Sequence, residues 1–421
     1  MPRLNPPASV RDICATLERA GHEAWCVGGA VRDALLGIET LDWDIATSAR
    51  PEEVQRLFRR TIPVGVQFGT VGVLDKQGVL HEVTTFRHDV ETDGRHAVVR
   101  FGASLDEDLA RRDFTINAIA VHAESLAVRD PFGGREDLAA GVVRCVGDAA
   151  ERMREDRLRA LRALRFAGRF AFALDASTWD AVKGSAPQLG RLSMERVKQE
   201  LEKVMEQVAR PALTMERYRD AGILAQLVPL IADAPRARFA ALDHLAPPRL
   251  ARRPDRRMLR LAALFVEPGV APARTLERDL KALKFSNDEV RATVTLANGA
   301  ALAPIDADPV ALRRVIAKVG RLMVPGLSRL LWARAKADGI AATEGRAGMA
   351  LYRRALRSAF TDPLTVADLA VDGDDLRSAG VAPGQAMGET LHRLVEVVLV
   401  DPTRNTRDAL LAEVRASLNA G

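Results

Sequence analysis

The sequence predicts an α+β chain, with a head built on a short mixed β-sheet followed by a long remainder made of helices. Three observations carry this. Runs rich in β-branched residues at 61–64, 70–74 and 80–86, separated by Gly and Asp/Gln turns, fall in the first quarter of the chain. Ahead of them, Trp25-Cys26-Val27-Gly28-Gly29-Ala30-Val31-Arg32-Asp33 reads as a strand, a Gly-Gly turn and a short helix. From about residue 144 the character changes: 151–173, 193–208 and most of the remaining chain show helical periodicity punctuated by Gly and Pro. Strands first and helices afterwards argue for a separate head and helical domains. At 421 residues, 48% hydrophobic and 28% charged, the composition is that of an ordinary globular protein with room for roughly two to four domains.

In chain order, Ser9 is placed to cap a helix over about 10–20 that Gly21 closes. The strand ending at Val27 then enters the Gly28-Gly29 turn, and a second apolar segment carries Asp42 and Asp44. Successive strand side chains alternate, so Asp42 and Asp44 share a face with Cα atoms roughly 6 to 7 Å apart. Two carboxylates that close repel unless a cation lies between them. Oxygen ligands suit Mg²⁺, which takes one or two carboxylates together with substrate phosphates. Metal-dependent phosphoryl or nucleotidyl transfer is the chemistry this supports; a solvated Asp-x-Asp turn is the plain alternative. Glu82, an acid inside a strand that otherwise reads as buried, is either a third carboxylate or an edge-strand charge. Residues 87–97 are polar and read as a loop with an Asp93-Gly94 tip before a strand at 98–101. In Leu109-Ala110-Arg111-Arg112-Asp113-Phe114-Thr115-Ile116-Asn117-Ala118-Ile119, paired arginines precede a buried helix and could clamp phosphates.

A second constellation lies at 155–166, where Asp156, Arg159, Arg162 and Arg165 occur at spacings of three. Neighbours at i and i+3 touch on a helix surface, so the plain reading is a salt-bridge stripe. Beside a nucleotide site another reading opens. Cytosine and adenine show an exocyclic amine next to a ring acceptor, whereas guanine and uracil show a carbonyl next to an N–H. An Asp acceptor beside an Arg donor complements the first pair, and leaves the second facing unpaired groups at about 1 to 3 kcal/mol each. Arg162 and Arg165 would then lie nearer the triphosphate.

The net charge of +5 permits an anionic partner without demanding one. Residues 248–260 hold six arginines against one acid, and basic residues again outnumber acids over 309–357, which makes a nucleic-acid backbone a partner to consider alongside solvated helix faces. The three cysteines, Cys14, Cys26 and Cys145, are widely spaced and odd in number, so they predict neither a disulfide framework nor a Cys-x-x-Cys metal site. With polar, proline-bearing first residues and no apolar run near the roughly 18 residues of a membrane span, a cytoplasmic setting is expected.

The combination of Gly28-Gly29-Ala30-Val31-Arg32-Asp33 with Asp42-Trp43-Asp44, then 111–118, then Glu155-Asp156-Arg157-Leu158-Arg159-Ala160-Leu161-Arg162, resembles the class II tRNA nucleotidyltransferase and bacterial poly(A) polymerase family. The resemblance spans essentially the whole chain and is strongest over 25–200. It implies a polymerase-β-like nucleotidyltransferase head at 1–143, a nucleotide-selecting neck at 144–215, a body at 216–330 and a tRNA-binding tail at 331–421. It makes Asp42 and Asp44 the Mg²⁺ ligands, and Gly29, Arg32 and Arg112 nucleotide contacts, with Arg111 an open alternative to Arg112. Asp156, Arg159, Arg162 and Arg165 become the base-selecting and triphosphate set. The implied partners are the tRNA 3′ end with its acceptor/T arm, CTP and ATP, with no membrane and no DNA. Two stretches look like those of CCA-adding members: 192–201, and the tail at 369–385 with Asn405. The intact 87–97 loop, which members adding only two cytidines are expected to have shortened, points the same way. Polyadenylation, or RNA binding by a head without catalysis, are the alternatives. The only His-Asp pair, His88-Asp89, lies in the head loop, so an added phosphohydrolase activity of the His-Asp type is not expected.

Overall fold

The computed structural model describes residues 4–40, 42–92, 97–245, 255–266, 273–302, 308–339 and 346–419. These form two compact units, Met1–Val204 with Arg217–Ala232, and Met205–Glu216 with Asp233–Gly421.

The first unit opens with α1 (Ala8–Arg19), β1 (Ala24–Val27), α2 (Gly29–Leu35), β2 (Asp44–Thr47), α3 (Pro51–Leu57), β3 (Thr61–Gly65), β4 (Thr70–Leu74) and β5 (Leu80–Thr85). It continues through β6 (Arg87–Thr92), β7 (Ala97–Phe101), α4 (Leu105–Ala110), β8 (Ala120–Val121), β9 (Val128–Arg129), α5 (Gly134–Ala140), β10 (Val142–Val143), α6 (Ala149–Glu155), α7 (Leu158–Phe170), β11 (Ala173–Leu174), α8 (Ala176–Ser185) and α9 (Met194–Gln207). A seven-stranded sheet has the order β3-β4-β5-β2-β1-β8-β9. It is mixed, as expected: β1 pairs antiparallel with both β2 and β8, whereas β2 and β5 run parallel. Val27, Ala46, Phe86, Leu109 and Ala120 belong to one core cluster, which joins the strands beside the glycine turn to α4.

Several expected elements differ in detail. Ser9 lies within α1, which starts at Ala8 after Pro7. The segment expected to be a loop at 87–97 is largely the antiparallel β6/β7 hairpin, and its Asp93-Gly94 tip lies outside the described residues. The helical periodicity expected over 151–173 is divided between two helices, α6 and α7. Asp156 breaks it with extended dihedrals (φ −145°, ψ 103°), and its side chain takes the N–H of Leu158, the first residue of α7, at 3.0 Å.

A buried chain of polar contacts pins α7 to the head. Asp33 Oδ2 accepts from Arg169 Nη2 at 2.8 Å, and Asp33 Oδ1 from Arg32 Nε at 2.8 Å. Arg32 Nη1 donates to Asn117 Oδ1 at 2.5 Å, Asn117 Nδ2 to Asp113 Oδ1 at 2.8 Å, and Arg162 Nε to Asp113 Oδ2 at 2.8 Å. Phe166 packs edge-on against Phe114 on the same side of α7.

In the second unit the helices include Asp255–Phe265, Asn287–Leu302, Val324–Ala337, Gln385–Val400 and Arg407–Asn419. Arg260 is 0% exposed and donates to the carbonyls of Met205, Val208, Ala209 and Leu245. Arg257 bridges Glu206 and Glu289. Two of the six arginines in the basic stretch at 248–260 therefore serve internal packing, and 248–254 lie outside the described residues. Asn405 makes contacts within the second unit, donating to the Asp368 carbonyl at 2.8 Å and accepting from the Ala370 N–H at 2.9 Å. Among the described residues no helix is long and apolar enough to cross a membrane. Cys14, Cys26 and Cys145 are free and buried.

The pinning contacts predict a pH signature. Burial opposes ionisation of Asp113, but the Arg162 guanidinium and the Asn117 amide outweigh it and hold the carboxyl at about 2, below its ordinary 3.8. A carboxyl depressed on folding adds stability above its unfolded pKa and loses it as pH falls through the folded value, here a contribution of about 2 kcal/mol. The unfolding free-energy gap between the native chain and Asp113→Asn is expected to be widest above pH 4 and to close by about that amount toward pH 2. Urea unfolding followed by tryptophan fluorescence reads the gap; one that does not change with pH contradicts the pairing.

Candidate active site

Register places the chemistry. Val27, the last residue of β1, lies opposite Asp44, the first of β2, so the glycine turn and one carboxylate are neighbours across the ladder. Gly28 has φ +76° and ψ −135°, a conformation that favours glycine. A Cβ there would sit 2.9 Å from Arg112 Nη1 and 3.5 Å from Asp44 Oδ2. The bare glycine thus lets a guanidinium and a carboxylate close on the turn. Gly29 opens α2, and a Cβ there would meet Arg32 Nη2 at 3.5 Å.

Asp42 precedes the hydrogen-bonded part of β2, but the alternation holds. Trp43 is buried at 3% exposure, while Asp42 is exposed and Asp44 half-buried on the other side. Burial pushes the Asp44 carboxyl up to about 6, helped by the Asp42 and Glu82 charges and opposed by Arg112. Glu82 therefore faces Asp44 as a charge; the parallel pairing of Ile45 with Val83 sets the two strands side by side there. Among the described residues no group of three or more His, Cys, Asp or Glu side chains is placed to hold an ion alone. Asp42 and Asp44 fit an ion whose shell is completed by substrate phosphate: they offer oxygen donors only, and their mutual repulsion is unrelieved except by Arg112.

Asp108, 1% exposed on α4, organises the paired arginines by accepting from Arg111 Nε at 3.0 Å and Arg112 Nη2 at 3.2 Å. Arg112 reaches the turn. The Arg111 carbonyl instead accepts from Arg159 Nη2 at 3.1 Å.

On α7 the spacing of three does not give one straight ladder. Each step of three residues falls about 60° short of a full turn. Arg159 accordingly turns to the Arg152 carbonyl and Glu155, Arg162 to Asp113, and Arg165 to Glu200 of α9 at 2.6 Å. Asp156 and Arg159 are thus held by separate partners, Asp156 Oδ2 accepting from Arg196 Nη2 at 2.6 Å. The basic groups nevertheless converge on one aromatic ring. The guanidinium carbons of Arg32, Arg162 and Arg165 lie 4.9, 5.4 and 4.2 Å from the Phe166 ring centroid. Arg32 and Arg165 are each only 4% exposed, with Asp33 and Glu200 as counter-charges.

The sequence motifs contain Asp33, Asp113, Asn117, Arg196 and Glu200, but spacing alone assigns these residues no task. The available signal was their chemistry: four ionisable groups and an amide set among residues whose spacing marks them as buried. Arg169, four residues beyond Arg165 and so on a neighbouring face of α7, was readable in the same way.

The comparisons agree with this geometry. Residues 24–144 match the family model described as "Poly A polymerase head domain", and residues 171–234 the one described as "Probable RNA and SrmB- binding site of polymerase A". A CCA-adding enzyme of Geobacillus kaustophilus is 38% identical over 415 residues, covering 97% of this chain and 97% of the relative. One from a Geobacillus species (strain WCH70) is 50% identical over 196 residues, 46% of this chain and 48% of the relative. The crystal structure of the Bacillus stearothermophilus CCA-adding enzyme in complex with CTP matches with a TM-score of 0.75 at 33% identity, over 98% of this chain and 97% of that one. The chain belongs to the tRNA nucleotidyltransferase family of CCA-adding enzymes, whose heads work with a divalent metal.

Proposed function

We propose that the protein adds C, C and A to the 3′ end of tRNA from CTP and ATP without a nucleic-acid template, releasing pyrophosphate at each step. The observation that carries this is the attachment of one half-site to the other. The carboxylates and glycine turn of the head are tied through Arg32, Asn117, Asp113 and Arg162 to the helix that begins just after Asp156. A relative at 38% identity over nearly the whole chain is named for the same reaction.

In this reading Asp42 and Asp44 hold Mg²⁺. The chemistry a bound divalent ion supplies at such a pair is activation of the terminal 3′-hydroxyl and neutralisation of the departing pyrophosphate. Gly28 and Gly29 leave room for close approach of phosphate to the backbone. Arg112 balances charge beside Asp44, which favours it over Arg111 as the nucleotide contact. Arg32, Arg162 and Arg165 set three guanidinium forks round Phe166 for the triphosphate. Asp156 accepts from the exocyclic amine of C or A and Arg159 donates to the adjacent ring nitrogen; U and G would each leave both groups unpaired. The head then comprises 1–143, the selecting neck 144–215, the body 216–330 and the tRNA-binding tail 331–421, in a cytoplasmic protein. The simultaneous presence of both carboxylates, Arg32 and the Asp/Arg set argues against a head that only binds RNA.

Asp42→Ala is expected to abolish incorporation, by at least about a thousandfold, while tRNA affinity stays within a few-fold. Pyrophosphate release and filter binding check this, and retained incorporation would sink the proposal. Asp156→Ala should relax selection against U and G by tenfold or more, an effect larger than its effect on the rate with CTP. Single-nucleotide incorporation kinetics decide it; unchanged selectivity would assign Asp156 to its structural contacts, the salt bridge with Arg196 and the Leu158 N–H.

A further inference from the structure

Helix α9 carries Arg196 and Glu200 four residues apart, hence on one face. That face reaches Asp156 and, on α7, Arg165. Arg196 Nη2 donates to Asp156 Oδ2 at 2.6 Å, and Glu200 Oε2 accepts from Arg165 Nε at 2.6 Å. Ser193 fixes where the helix begins, its hydroxyl taking the Arg196 N–H at 3.4 Å.

Asp156 needs such support because it lies between α6 and α7 rather than inside either. Its carboxylate would otherwise be held at one oxygen only, by the Leu158 N–H on Oδ1. With Arg196 on Oδ2 both oxygens are anchored and the plane of the group is set. Each carboxylate oxygen accepts more than one hydrogen bond, so a base amine can be received without displacing either partner. A guanidinium suits this role because its donors are rigid and planar, unlike the rotatable ammonium of lysine.

We propose that Arg196 is a positioning residue for base selection, orienting the Asp156 carboxylate toward the exocyclic amine of the incoming nucleotide. The proposal rests on the reading that Asp156 reads the base. It assigns a specificity role to a helix that otherwise only packs against the selecting region.

The test is kcat/KM for CTP, ATP, UTP and GTP, each alone, on tRNA lacking its terminal CCA, for the full chain and four variants. Arg196→Ala is expected to lower discrimination of C over U by tenfold or more, and Arg196→Lys to fall between it and the native chain. In an Asp156→Ala background, adding Arg196→Ala should change discrimination less than twofold, since the group it orients is already gone. A merely structural role would lower all four rates together and leave the ratios within twofold, which would overturn the proposal, as would losses that multiply in full in the double variant. Where Arg196→Ala does not fold, Arg196→Lys decides: a threefold or greater fall in discrimination supports the role, and an unchanged ratio overturns it. If Asp156→Ala itself leaves selectivity intact, the base-reading assignment fails. If Asp156→Ala relaxes selection and Arg196→Ala does not, only the role of Arg196 fails.

Discussion

The interior of the first unit depends on a run of charges that satisfy one another: Arg169 to Asp33, Asp33 to Arg32, Arg32 to Asn117, Asn117 to Asp113, and Asp113 to Arg162. Ions out of water are costly unless every one is paired and hydrogen-bonded, and removing one member leaves its partner exposed to that cost. Arg32 shows the pressure directly: burial alone pulls its guanidinium below the ordinary arginine range, and Asp33 offsets this. Such a run tolerates little rearrangement. It ties α2, which follows the glycine turn, to α7, whose first residue, Leu158, donates its N–H to Asp156.

The same logic accounts for Asp44. A carboxyl pushed up to about 6 by burial and by Asp42 and Glu82 is held against its own preference, in a fold that pins its strand between β1 and β5. Structural carboxylates in this unit behave oppositely: Asp108 and Glu200 are drawn below the ordinary range by their arginines, although burial opposes it. The contrast separates carboxylates satisfied by arginines inside the protein from one whose charge is opposed by burial and by neighbouring carboxylates.

Much of this was legible from the chain. The Gly28-Gly29 turn, the alternation of Asp42, Trp43 and Asp44, and the strands expected at 61–64, 70–74 and 80–86 obey local rules of spacing, and the structure places the strands at 61–65, 70–74 and 80–85. The part that was not legible depends on partners distant in sequence. Arg169 meets Asp33 across 136 positions and Arg196 meets Asp156 across 40. Periodicity could not foresee the break at Asp156 either, because a side-chain acceptor competes with helix only where the local fold offers it a nearby N–H, here that of Leu158. Basic composition misled at Arg260, which spends its charge on carbonyls inside the second unit rather than on an outside anion.

The proposed function joins two halves, carboxylates beside the glycine turn and the proposed reading of C and A by Asp156 and Arg159. The measurement that bears most directly on this supplies all four nucleotides and Mg²⁺ with tRNA lacking its 3′ terminus and sequences the product ends. The expected product ends read CCA, and extension stops there. A lengthening run of A, insertion of U or G, or no extension at all would contradict the proposed function.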